Sequence, residues 1–215
     1  MFNLPAFFNP ILRKVPTWPV YLLGVVPAVV YFYWAVTNQL GTDPLQMLER
    51  QLGRWALQLL MLTLLVTPVR KLTGISFLKF RRAFGLTAFF YVVFHLSTWL
   101  VLDKQFFWNE ILADLYKRPY IILGMTGFLL LTPLALTSNK FSLRRMGPLG
   151  WNRLHRLSYL VVILGAVHFV LVRKVWESDP FLYLLIALIL VSYRIPWKRL
   201  RRGGLSGAGI SARGG

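Results

Sequence analysis

Histidine occurs three times in the chain, at His95, His155 and His168, and cysteine does not occur at all. Disulfides, thiolate-bound metals and cysteine-held iron–sulfur clusters are therefore excluded, which leaves imidazole as the donor for metal or redox chemistry. His95 and His168 stand inside long apolar runs, whereas His155 sits at the edge of one, between Arg153 and Arg156. A single imidazole in an apolar span is as readily explained by a hydrogen bond to a neighbouring helix as by a functional role. Two at one depth can do more. His95 lies 12 residues past Ala83 and His168 lies 11 past Leu157. At 1.5 Å per residue, that puts them about 18 Å and about 16–17 Å from the same boundary. On helices running in the same direction two such rings can face each other across a gap, one axial nitrogen from each side, as bis-histidine ligation of haem iron requires. Gly165, one turn before His168, fits two roles equally: room beside a flat macrocycle, or ordinary small-residue helix packing.

The elements that must hold these residues follow from the apolar pattern. The chain is 56% hydrophobic with a mean hydropathy of +0.56 over 215 residues, which fits neither a soluble domain nor a disordered chain. Six apolar segments stand out: Trp18–Val36, Trp55–Val69, Ala83–Leu102, Pro119–Thr137, Leu157–Val172 and Pro180–Ile195. They predict an all-α integral membrane protein, a bundle of six transmembrane helices, with the second, fifth and sixth short for a ~30 Å core. Arg13 and Lys14 precede the first run as in a signal peptide, but the run is too long and lacks a small-residue cleavage site, so it reads as a retained span.

The net charge of +18, from 25 Lys+Arg against 7 Asp+Glu, would suggest nucleic acid in a soluble protein. In a membrane protein the positive-inside rule accounts for it, and no nucleic-acid partner is expected. With the N-terminus inside, the inner segments carry 18 basic residues and the outer loops 7 (Arg50, Arg54, Lys104, Lys117, Arg118, Arg173 and Lys174), together with all seven acids. Both termini are thus expected in the cytoplasm. Residues 1–202 read as one transmembrane domain and 203–215 as a flexible Gly/Ser-rich tail. The longest stretch between spans, Ser138–Arg156, is too short for a catalytic or nucleotide-binding domain. Trp18, Trp55, Trp108, Trp151, Trp176 and Trp197 fall near span ends, as expected of interfacial anchors among membrane lipids.

Within the six segments there is no Asp, Glu or Lys, and the one Arg, Arg194, stands at the very end of the sixth, which removes the carboxylate relay of pumps and many ion-coupled transporters. Aligning His95 with His168 also aligns Arg82 with His155, each 13 residues earlier. A second, inner haem would need a histidine where Arg82 stands. His155 is open to three readings: half of an unpaired inner site, a quinone or flavin contact, or a surface histidine among arginines. On one continuous ideal helix it would lie about 140° off the face of His168.

Two stretches carry a family resemblance. Arg81-Arg82-Ala83-Phe84-Gly85-Leu86 leads to His95, and Trp151-Asn152-Arg153-Leu154-His155-Arg156-Leu157-Ser158-Tyr159 leads to His168. Together, from Arg13 to about Arg202, they resemble the MsrQ/YedZ family, the haem-binding membrane subunits of the bacterial methionine sulfoxide reductase system. More distantly they resemble the ferric reductase and NADPH oxidase membrane core, from which Arg82 departs by replacing a fourth histidine. The resemblance implies a ferric reductase-like domain in the bacterial inner membrane that carries electrons from the quinone pool or a cytosolic flavin reductase. They would pass through haem b to a periplasmic molybdenum-containing methionine sulfoxide reductase, for repair of oxidised proteins. It implies His95 and His168 as haem iron ligands, with His155 and Arg82 at a second cofactor level. FMN is implied by the resemblance alone, because no flavin-binding fingerprint is present. The chain itself has no thiol or domain with which to reduce a sulfoxide. The competing classes are a small histidine-dependent transporter or channel, disfavoured by the absent carboxylates and absent paired repeats, and a structural anchor, disfavoured by the equal-depth pair.

Overall fold

The structure is a computed structural model that describes residues 4–173 and 177–194. The tail 203–215, Trp176, Trp197 and the end of the sixth segment at Ile195 lie outside the described residues. The described chain is all-helical: α1 (Leu4–Lys14), α2 (Trp18–Val36), α3 (Pro44–Thr73), α4 (Arg81–Ser97), α5 (Trp108–Lys117), α6 (Pro119–Leu136), α7 (Lys140–His155), α8 (Leu157–Val172) and α9 (Ser178–Ser192). Five helical stretches are long and apolar enough to cross a membrane; α9, at 15 residues, is apolar but shorter.

The second segment is much longer than its apolar run. Asp43 caps α3 by accepting a hydrogen bond from the Gln46 amide at 2.9 Å, Pro44 occupies the first turn, and Gly74 ends the helix in the left-handed region at φ 74°. The resulting 30 residues span about 45 Å, so both ends pass beyond a ~30 Å apolar core. This corrects the expectation that Glu49, Arg50 and Arg54 belong to a loop: all three are helical. They ride on the segment whose hydropathy had fallen too low to read as a span.

Three short helices were not anticipated. In α1, Leu4, Phe7, Phe8 and Ile11 form an exposed apolar side that ends on Arg13 and Lys14. Asn9 ties it to the α3–α4 turn, its Nδ2 donating to the Gly74 carbonyl at 3.1 Å and its Oδ1 accepting from the Ser76 amide at 2.9 Å. The second, α5, is held by Asp114, which pairs with Lys104 at 2.9 Å and Arg118 at 3.2 Å. The third, α7, bends at Gly147, where the backbone is not helical (φ 69°, ψ 164°), and resumes at Pro148.

In the bundle α4 packs along α3 and α6 along α8, with α9 against α8. The main core joins Leu57, Leu60, Met61 and Leu64 of α3 to Ala88 of α4, Leu131 of α6, Val161, Val162 and Ala166 of α8, and Ala187 and Leu190 of α9. No residue of α2 is buried; it lies on the periphery, where the Tyr91 hydroxyl donates to the Gly24 carbonyl at 2.6 Å.

Candidate functional site

His95 and His168 come together, with ring centroids 6.1 Å apart and planes at 86°. Each is oriented in the same way. His95 Nδ1 is 2.9 Å from the Glu49 carbonyl of α3, and His168 Nδ1 is 2.7 Å from the Tyr120 carbonyl of α6. A carbonyl only accepts, so each Nδ1 carries the proton and each Nε2 keeps its lone pair. Neither Nε2 has a hydrogen bond among the described residues. Such outer-shell bonds fix the tautomer and plane of a metal-binding imidazole.

Two glycines make these bonds possible. A Cβ on Gly53 would stand 3.2 Å from His95 Nδ1, and one on Gly124 would stand 3.0 Å from His168 Cε1. Each glycine lies four residues, one helical turn, after the carbonyl its histidine uses. The imidazoles thus lie where side chains of α3 and α6 would otherwise be. Gly165 does not share this role. A Cβ there would meet Leu57 Cδ1 at 3.4 Å, so of the two roles open to it, helix packing is the one the structure gives it. Directly after α4 the chain widens into a π-helical turn, Thr98–Asp103, a feature frequent at functional sites.

Two neutral imidazoles with unengaged Nε2 atoms are a fitting donor pair for one metal ion between them. Two metal–nitrogen bonds of about 2 Å, plus about 1 Å from each nitrogen to its ring centre, give roughly 6 Å between centroids. The observed 6.1 Å matches. The pair sits at the end of the bundle where α6 begins and α8 finishes, with His168 four residues before Val172.

His155 is elsewhere, at the opposite ends of α6 and α8. At Arg156 the helical hydrogen bonding is interrupted while the backbone keeps right-handed helical dihedrals (φ −67°, ψ −22°), so α7 passes into α8 through a tight turn. The His155 ring stacks on Trp151 at 3.7 Å and 19°, and its Nε2 is 3.1 Å from Thr137 Oγ1. That hydroxyl donates to the Pro133 carbonyl at 2.6 Å, so it accepts from His155. The His155 proton is therefore on Nε2. Trp151 donates its Nε1–H to the Thr137 carbonyl at 3.0 Å, which makes it a support for His155 as well as a residue near a span end.

The cation whose charge reaches His155 is Arg81; Arg82 is exposed. Thirteen residues before His95 a side chain points about 140° away, whereas fourteen residues before it the offset is only about 40°. Arg81 shares the His95 side of α4. Among the described residues no group of three His, Cys, Asp or Glu side chains is placed to hold a metal ion.

Residues 52–166 match the family described as "Ferric reductase like transmembrane component". A relative from Agrobacterium fabrum is 46% identical over 193 residues, covering 90% of this chain and 87% of its own length. Relatives from Brucella ovis and Brucella suis are 46% identical over 190 residues, covering 87% of this chain and 86% of theirs. All three are named "Protein-methionine-sulfoxide reductase heme-binding subunit MsrQ". The chain belongs to the MsrQ family. The region that matches the ferric reductase-like family takes in Gly53, His95, Gly124, Trp151 and His155 and ends two residues short of His168. The histidines of this MsrQ chain were legible from type and spacing. Gly53, Gly124, Arg81 and Thr137 were not singled out, although a glycine inside an apolar helix at the depth of a histidine is itself a signal of close approach.

Proposed function

We propose that this chain is the haem-bearing electron-transfer subunit of a protein-methionine-sulfoxide reductase system. Electrons enter from quinol or a reduced flavin such as FMN at the His155 end. They pass through haem b between His95 and His168 and leave to a periplasmic, molybdenum-containing reductase subunit that repairs oxidised proteins. The chain spans the bacterial inner membrane six times, N-in and C-in, with 1–202 as one domain. Haem, when bound, supplies a one-electron iron couple. The protein's own residues do the rest. Glu49 and Tyr120 hold the two imidazoles in the Nε2-free tautomer by their carbonyls, and Gly53 and Gly124 give the rings their place. The core residues of α3, α6 and α8 exclude water from the space between the two levels. At the other end His155 faces the donor, beside the partly buried Arg81 and the exposed Arg82.

The observation that carries this reading is the His95–His168 pair, two imidazoles 6.1 Å apart with both Nδ1–H groups already spent on carbonyls. The purified chain is expected to show a Soret band and reducible α/β bands. His95→Ala and His168→Ala should each lose the haem, measured as pyridine haemochrome per protein at equal expression. Normal haem in both variants would overturn the assignment.

A further inference from the structure

Three guanidinium nitrogens are buried without a hydrogen-bond partner: Nε of Arg50, of Arg173 and of Arg194. A buried donor left unmatched is costly, so an acceptor is to be sought for each. Arg194 belongs to the His155 end, where its Nη2 donates to the Leu64 carbonyl at 2.7 Å. Arg50 and Arg173 are at the His95–His168 end.

Arg50 follows Glu49, whose carbonyl holds His95. On α3, Arg50, Gly53 and Leu57 recur at helical spacing; Gly53 lies against the His95 ring and Leu57 against Gly165 of α8. Arg50 therefore shares the side of α3 that faces the histidine gap, one turn further toward the end of the bundle. Arg173 caps α8, five residues past His168, and its guanidinium lies over the ring of Phe169 at 5.7 Å. Arg54, one turn from Arg50, lies over the same ring at 5.9 Å. Arg54 of α3 and Arg173 of α8 thus converge over Phe169, the residue next to His168 in the chain. Their acids are unevenly shared. Arg54 pairs with Asp179 at 3.0 Å, and Arg173 gives one terminal nitrogen to Glu177 at 3.0 Å. Among the described residues Arg50 has no carboxylate within ion-pair distance.

We propose that Arg50 and Arg173 hold the two propionate carboxylates of the haem and so fix which edge of the macrocycle points to this end of the bundle. The proposal rests on the haem reading above. A carboxylate leaving water needs a cation and hydrogen bonds together, and a guanidinium offers both in a planar fork through its Nε and Nη hydrogens. These two arginines bring the unmatched Nε–H groups that such a ligand would accept from.

The test uses the full chain in nanodiscs, reconstituted either with protohaem or with its dimethyl ester, whose carboxylates are blocked. Haem loss is followed by capture with apomyoglobin. The wild-type chain should lose the ester about a hundredfold faster than the free acid, the size of two lost charge-assisted bonds. Arg50→Met and Arg173→Met should each speed loss of the free acid by about tenfold and leave loss of the ester unchanged, with Arg50→Lys in between. Equal acceleration of both forms in the variants would mean a structural role and overturn the proposal. Equal loss of acid and ester by the wild-type chain would overturn it without any variant. Failure of the wild-type chain to take up either form would instead overturn the haem reading itself, and this proposal with it.

Discussion

Each of the two paired imidazoles has its place only because a glycine stands beside it. Replacing Gly124 by Val would put branched carbon where the His168 ring lies, within about 3 Å of Cε1 and Nδ1, and overpacking of this kind costs about 1–3 kcal/mol. Gly124→Val and Gly53→Val are expected to cut haem content at least severalfold, while Gly165→Ala, facing the movable tip of Leu57, keeps it; Soret absorbance per protein checks all three. The inner histidine has its own test. Thr137→Val removes the acceptor for His155 Nε2 and should slow haem reduction by the donor more than reoxidation by the reductase, read by stopped-flow spectroscopy. A selective effect on reoxidation would move the donor to the other end. At this scale the sequence made three imidazoles legible because they are rare and differ in chemistry from everything around them. Carbonyl acceptors such as Glu49 and Tyr120 leave no trace in residue type, and the choice between Arg81 and Arg82 turns on helical phase, which a count of residues does not report.

Helix ends decide where these groups stand. Four of the apolar runs were readable almost to their observed limits, since hydropathy marks them: α2 coincides with Trp18–Val36 and α8 with Leu157–Val172. In α3 the cap at Asp43 and the stop at Gly74 set the ends, and the charged turn between Glu49 and Arg54 hid the first of them. The tight turn at Arg156 has no glycine or proline to announce it, and it divides α7, with His155, from α8, with His168. The amphipathic α1 is joined to the α3–α4 turn mainly through Asn9 and through Lys79, whose Nζ donates to the carbonyls of Arg13 and Val15 at 2.7 and 2.8 Å. Asn9→Ala deletes two bonds at an accessible site and should cost about 1 kcal/mol. Limited proteolysis should then cut the Gly74–Phe77 turn faster, with haem content unchanged. Loss of haem in that variant would show that α1 reaches the histidine pair.

Taken whole, the chain puts its two histidine levels at opposite ends with an apolar slab between them. Reporter fusions at the C-terminus are expected to show cytoplasmic behaviour, following the split of 18 basic residues in the inner segments to 7 in the outer loops; alkaline phosphatase activity there would reverse the orientation. The isolated chain, given a chemical reductant, should not turn over methionine sulfoxide, because the stretches between its spans are too short to build a reductase site and it has no thiol with which to attack the substrate. The slab has a further consequence. Leu57, Leu60, Met61, Leu64, Leu131, Val161 and Val162 carry no group that can take up a proton, so an electron that crosses from the His155 end travels without one. Under the proposed orientation each electron moves outward from the negative side of an energised membrane, down a gradient worth about 2.3 kcal/mol per 100 mV for full transit. The cell's resting voltage would then drive repair, and collapsing it with an ionophore should slow delivery of electrons to the outer face even when donor and acceptor are plentiful.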